Sequence, residues 1–307
     1  MAKFKIKDSV WNILFEGLKI YFKHFLKFTQ YMLFPVFGQI IGIVLIFGLT
    51  GWFTFSLPVL AEEHAVFNNF STISIALILI TIPGFAVFLK AFWDFLAAYV
   101  ALNSMTEAVI TTGKLYDFKA HNEVVTKQTM KFIVLLLVIS ILSLVALNPL
   151  FWVLGLIFFI YFILVFQVFT FEKDVSVLGC FKRSFELIKG NFGRTFLIML
   201  LLGIISHYLI NTGLAALSEV IKLSEFLKGV LENWAAELPL ADINNTLTYF
   251  KLQAITPLEI ANEILASSIL FVAAGLTLPM RSICWTLWYK NLAEVKAEKN
   301  TGKKSGK

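Results

Sequence analysis

The sequence predicts an all-α fold: a polytopic membrane helix bundle of six transmembrane helices, with amphipathic helices at the membrane surface. Three observations carry this reading. Of 307 residues, 58% are apolar and only 15% are charged, against roughly 25% charged in a soluble domain. Six apolar stretches approach the ~20 residues that a helix needs to cross a bilayer core. The basic residues fall almost wholly on one side of those stretches. The mean hydropathy of +0.80 excludes disorder, collagen, a coiled coil and a disulfide-knotted module. The chain reads as one integral membrane domain over residues 1–307, with a basic tail from about residue 293.

The first span is expected from Tyr31 to Leu57, with Pro35, Gly38, Gly42 and Gly48 inside it. Gly38 and Gly42, four apart, permit close helix contact. The second runs from Thr72 to Leu89, and its pattern continues towards Leu102. The third (Phe132–Leu147) and fourth (Leu150–Phe171) are separated only by Asn148-Pro149, a tight hairpin. The fifth covers Thr195–Leu217. The sixth covers Ile264–Met280 and continues to Tyr289, after Thr256-Pro257-Leu258-Glu259. That tetrapeptide is a capping box with Pro at the first helical position. A signal peptide is not expected, because a long Lys-bearing and aromatic segment precedes the first apolar run.

Charges between the spans set orientation, since Lys and Arg concentrate in cytoplasmic loops. One side holds Lys3, Lys5, Lys7, Lys19, Lys23 and Lys27, then Lys114, Lys119, Lys127 and Lys131. It also holds Lys173, Lys182, Arg183, Lys189 and Arg194, and the closing set from Arg281 to Lys307. The other side has Lys222, Lys228 and Lys251 with an excess of acidic residues. Both termini are therefore expected in the cytoplasm, in a multi-pass protein of the cell (inner or plasma) membrane.

A basic amphipathic stretch precedes each odd-numbered span: Asp8–Lys27, Phe118–Lys131 and Asp174–Arg194. Asp8 and Asp174 are the expected N-caps. In the first, Val10, Ile13, Leu14, Leu18, Tyr21 and Phe25 share a face; in the third, Val177, Phe181, Phe185 and Ile188 do. Such helices suit the boundary between acyl chains and anionic headgroups. The order suggests a leader helix plus a hairpin, used three times. Outside the spans, Leu217–Leu238 is expected as one helix, with the pairs Lys222–Glu225, Glu225–Lys228 and Lys228–Glu232 on it and Pro239 ending it.

No chemistry is written in the familiar patterns. Cys180 and Cys284 read as unpaired thiols, and His24, His64, His121 and His207 are scattered away from metal-ligand spacing. Phosphate loops, nucleophile elbows and HExxH helices do not occur in the sequence. The Asn69 and Asn244 glycosylation triplets read as chance matches. No cofactor, metal or nucleic acid is expected. Polar residues inside the spans are the remaining candidates. Lys90 and Asp94, four apart, can pair. His207, Asn211 and Glu263 can meet across helices as a cation- or proton-sensitive cluster. Gln39 and Gln167 read as interhelical donors, and Arg281, just past Pro279, reaches lipid phosphate.

The stretch Phe171-Glu172-Lys173-Asp174-Val175-Ser176-Val177-Leu178-Gly179-Cys180-Phe181-Lys182-Arg183-Ser184-Phe185-Glu186-Leu187-Ile188-Lys189-Gly190-Asn191-Phe192 resembles a bacterial multi-spanning family, the glycerophosphoryl diester phosphodiesterase membrane domain and its relatives of unknown function. Those proteins place an acidic pair after an apolar span, then an Arg-Ser pair, then a Gly-Asn-Phe-type turn into the next span. The closing segment Leu278-Pro279 to Leu292 is similar to the family's ending. The resemblance implies a membrane-embedded helical protein without catalysis of its own, the family's name coming from members with a separate catalytic domain. It also implies Arg183, Ser184, Glu186 and Asn191 as structural or lipid-contacting residues. The functional expectation is a non-enzymatic protein that organises membrane lipids or a membrane protein partner; the alternative is a small-molecule transporter or permease, favoured by breaks at Pro83-Gly84 and Gly275–Pro279.

Overall fold

The computed structural model describes residues 9–115, 117–146, 149–249 and 251–304. Among them the regular structure is helical, with no strand. The helices are α1 (Val10–Lys23), α2 (Phe25–Glu63), α3 (Phe70–Thr112), α4 (Phe118–Thr126), α5 (Thr129–Ala146), α6 (Trp152–Phe162) and α7 (Val165–Phe171). They continue with α8 (Val177–Ile188), α9 (Phe192–Gly203), α10 (Asn211–Val220), α11 (Leu223–Ala236), α12 (Leu240–Tyr249) and α13 (Pro257–Lys304). Five segments are long and apolar enough to cross a membrane: Phe25–Glu63, Phe70–Thr112, Pro149–Phe171, Phe192–Val220 and Pro257–Ala297. Ala120–Thr126 with Thr129–Leu144, bent by 72°, makes a sixth when taken as one span. The all-α bundle is as expected, and short helices α1, α4 and α8 stand where the three leaders were read.

The helix starts follow local chemistry. Ser9 accepts from Asn12 N at 3.3 Å to cap α1, and Ser176 accepts from Gly179 N at 3.1 Å to cap α8. Ser176 thus takes the place expected for Asp174; a hydroxyl at that position reaches the third amide as well as a carboxylate does. Asp8 and Asn148 lie outside the described residues. The capping box forms reciprocally: Thr256 N donates to Glu259 Oε2 at 2.8 Å, and Glu259 N to Thr256 Oγ1 at 3.2 Å. Asn69 accepts from Ser71 N at 2.9 Å at the start of α3, which gives that asparagine a structural use.

Three expectations are corrected. α3 and α13 run through Pro83 and Pro279 as continuous helices, so the breaks read there do not occur; a π-helical stretch, Ile204–Ile210, interrupts the fifth span instead. The expected single helix over Leu217–Leu238 ends at Val220, because Lys222 takes left-handed backbone (φ 57°), the usual stop geometry on a residue that seldom adopts it. None of the three charge pairs read on it is an ion pair among the described residues.

The described chain gathers into two compact units. One comprises residues 9–32, 96–205 and 276–304, the other 33–95 and 206–275. In the second unit α2 and α3 pack closely at glycines. A Cβ on Gly42 would stand 2.7 Å from the backbone of Phe88, and one on Gly84 2.7 Å from Ile46 N. Gly38 faces Ala91 in the same way. Asn244 fixes the loop after α12, donating to Ile255 O at 3.0 Å and accepting from Ile255 N at 2.7 Å. In the first unit α7 is buried on nearly every side, with Val165, Gln167, Val168, Phe169 and Thr170 all in the core. Helices α6 and α7 carry α8. Gly17 of α1 lies so close on Cys284 of α13 that a Cβ there would overlap the sulfur.

Candidate functional site

The first unit presents four candidate arrangements. Its charged cluster begins where α7 ends. Glu172 Oε1 accepts from Arg183 Nε at 2.9 Å and from the Tyr289 hydroxyl at 2.9 Å. Arg183 also pairs with Glu186, three residues on in the same helix, at 4.0 Å. The turn at residues 172–176 folds α8 back along α7, and this brings Glu172 closer than the same-helix neighbour. Ser184 is buried and donates to the Tyr161 carbonyl at 2.8 Å, tying α8 to α6. Asn191 precedes α9; its carbonyl accepts from Thr195 N and Oγ1, and its side chain makes no hydrogen bond among the described residues. Lys290 pairs with Glu107 at 2.7 Å and sits 5.4 Å from the Phe171 ring, which stacks on Tyr289. The Arg194 guanidinium lies 5.3 Å from the Trp288 ring, whose Nε1 donates to Thr195 Oγ1 at 3.0 Å.

A second arrangement is buried and uncharged. Asn103 Oδ1 accepts from Ser282 Oγ at 2.7 Å, Thr286 Oγ1 at 3.2 Å and Gln167 Nε2 at 3.2 Å. Asn103 Nδ2 donates to Thr170 Oγ1 at 3.4 Å. One amide thus joins α3, α7 and α13. Gln167 is the interhelical donor expected of it, and its own Oε1 is left without a partner. Gln39 differs: its amide donates to Pro35 O within α2. Asn103 went unread in the sequence because it lies where the second span was expected to have ended.

The third arrangement is an apolar fissure of about 400 Å³. Leu142, Leu154, Phe158, Phe162, Phe166 and Trp285 form much of its wall, and Arg281, Tyr99 and Ser143 bring polar groups to it. Arg281 is half-buried and has no hydrogen bond or ion pair among the described residues.

The fourth is the surface of α1. At 100° per residue, Val10, Ile13, Leu14, Gly17 and Tyr21 form one face, and all are buried. Trp11, Phe15 and Phe22 form another and are 55%, 66% and 68% exposed. Asn12, Glu16, Lys19 and Lys23 form the third. Tyr21 anchors the helix, donating to Leu276 O at 2.6 Å and sharing a hydrogen bond with Thr29 at 3.1 Å. Burial pushes the Tyr21 hydroxyl above its ordinary pKa. Burial, with Lys23 and Lys27 beside it, holds His24 below the usual imidazole value. Helix α8 repeats the pattern in smaller form, with Cys180, Phe181, Ser184, Leu187 and Ile188 buried and Leu178 and Phe185 exposed beside Lys182 and Lys189. Phe185 therefore parts from Phe181 and Ile188, with which it was expected to share a face.

In the second unit, Lys90 and Asp94 pair on α3, as expected from their spacing. His207, Asn211 and Glu263 are not joined: no hydrogen bond or ion pair links them among the described residues, and His207 and Glu263 are exposed. Buried Ser206 Oγ, in the π-helical stretch, and Asn211 Oδ1 lack partners. No group of three or more His, Cys, Asp or Glu gathers as metal ligands among the described residues. Compared with known protein families, curated proteins and solved structures, the chain matches none.

Proposed function

We propose that this is a non-enzymatic, multi-pass protein of a bacterial cell membrane that organises anionic lipid around itself through its basic amphipathic helices. The observation that carries the reading is the three-faced α1. Its inward face is packed on protein and its cationic edge is solvated, yet Trp11, Phe15 and Phe22 remain open. An aromatic stripe left exposed next to lysines suits the acyl–headgroup boundary, where ring and ammonium each find their medium. Each lysine near an anionic surface contributes about 1 kcal/mol. The charge asymmetry of the loops supports cytoplasmic termini. The carboxylates of the charged cluster, Glu172 and Glu107, are held in ion pairs with Arg183 and Lys290, which suits scaffolding better than proton transfer.

The test is the lipid shell. Polymer nanodiscs extracted from vesicles of mixed phosphatidylglycerol and phosphatidylcholine should be enriched in the anionic lipid. A Lys19→Gln, Lys23→Gln, Lys27→Gln variant should lose much of that enrichment. An unchanged shell, or turnover of phospholipid by the purified protein, would overturn the proposal. A transport role has one observation in its favour, the π-helical stretch with its unpartnered Ser206 Oγ, since such stretches recur at functional sites. Substrate flux into liposomes would promote it.

A further inference from the structure

We propose that Arg281 is the phosphate contact of a discrete phospholipid site, and that the fissure it borders holds one acyl chain of that lipid. The proposal rests on the reading of the protein as membrane-embedded and names a ligand site within it.

The wall supplies the first argument. Leucines from α5 and α6, phenylalanines from α6 and α7 and the Trp285 ring enclose about 400 Å³, inside the range of small-ligand sites (roughly 300–1,000 Å³). Walls of this kind do not hold water well. A long hydrocarbon chain suits the volume and chemistry, whereas a polar metabolite would find few partners. The way in supplies the second argument. Leu142, Leu154, Phe158 and Phe159 line the fissure and are each more than a third exposed. On the membrane reading, that opening faces lipid, and a chain enters sideways without crossing water.

Arg281 supplies the third argument. A half-buried guanidinium without a counter-ion is costly, and the carboxylates of the charged cluster in the same unit are engaged, Glu172 by Arg183 and Tyr289, Glu107 by Lys290. The planar fork of an arginine matches phosphate oxygens in two-point contact. The Tyr99 and Ser143 hydroxyls stand on the same wall as further donors. An anion at Arg281 with a chain in the fissure satisfies cation and cavity together, which neither a free phosphate nor a neutral lipid does.

The experiment is lipid retention by the full-length protein in detergent, read by native mass spectrometry. Phosphatidylglycerol is the probe, and diacylglycerol with the same chains is the control without phosphate. One phosphatidylglycerol should bind per chain, and diacylglycerol about tenfold or more weakly, as expected for loss of a charge-assisted contact. Arg281→Gln should weaken phosphatidylglycerol about tenfold, and Arg281→Lys less. Leu142→Trp, which fills the fissure, should reduce binding without touching charge, and serves if Arg281→Gln fails to fold. The Lys19→Gln, Lys23→Gln, Lys27→Gln variant should retain the lipid normally, so loss of shell enrichment there leaves this site standing. Equal affinities for the two lipids, no retained lipid, wild-type retention by both Arg281→Gln and Leu142→Trp, or an equal loss in the triple-lysine variant would overturn the assignment.

Discussion

The hydroxyl of Ser282 donates to Asn103 Oδ1 at 2.7 Å, across 179 residues of sequence. Thr286, one turn on, reaches the same oxygen. A single side chain of α3 thereby fixes the register of α13 against it. Removing the acceptor leaves hydroxyl and amide donors buried without a partner, at about 1–3 kcal/mol. Asn103→Leu should therefore lower the melting temperature in detergent markedly. Ser282→Ala removes one bond of several and should cost only about 0.6 kcal/mol, the average for interhelical bonds in membranes. Equal effects of the two would show that the amide is not the hub.

Arg183 and Lys182 are neighbours with unequal roles. Arg183 is held by Glu172, which Tyr289 also engages; Lys182 is exposed. Arg183→Ala should destabilise the protein by about 1–2 kcal/mol, a charge-assisted bond discounted for partial exposure. Lys182→Ala should stay within about 0.5 kcal/mol. A double-mutant cycle with Glu172→Ala should show coupling; additivity would mean that the pair is incidental.

What the sequence made legible follows from the reach of each signal. Hydropathy found the spans, because a run of apolar residues is its own evidence. The capping box and Gly38-x-x-x-Gly42 were equally local, and both are used as read. Of the two carboxylates that Arg183 pairs with, Glu186 is visible at i+3 in the sequence, whereas Glu172 arrives only once the turn at 172–176 reverses the chain. Asn103 was invisible for the same reason: its donors lie on α7 and α13. The stop at Lys222 carried no glycine or asparagine to announce it. The expected meeting of His207, Asn211 and Glu263 rested on the four-residue spacing of the first two and a shared side of the membrane, and neither fixes which way one helix faces another.

The glycines of α2 offer a sharper test of packing. Gly42→Ala places a methyl 2.7 Å from the Phe88 backbone, which cannot rotate away, whereas Gly48 faces open space. Gly42→Ala should reduce folded yield strongly, and Gly48→Ala should leave it near wild type, as measured by size-exclusion chromatography in mild detergent. Comparable yields would contradict the close approach of α2 and α3.

Burial raises the Cys180 thiol above its ordinary pKa, Lys131 nearby opposing the shift in part. A raised value means less thiolate at any given pH, and thiolate is the species that reacts. Maleimide labelling of Cys180 in native detergent solution should be slow at neutral pH, accelerate as pH rises, and become complete in sodium dodecyl sulfate. Fast native labelling at neutral pH would place α8 away from the core.

The lipid-organising role depends on where the open face of α1 sits. Spin labels at Phe15→Cys and Lys19→Cys, in a background lacking Cys180 and Cys284, report depth through their relative accessibility to oxygen and to a water-soluble nickel chelate. In proteoliposomes containing phosphatidylglycerol, residue 15 should be oxygen-accessible at a shallow depth of ~5–10 Å below the headgroups, with residue 19 on the aqueous side. If both positions report bulk water, α1 is a soluble helix, and the lipid-organising role falls with it.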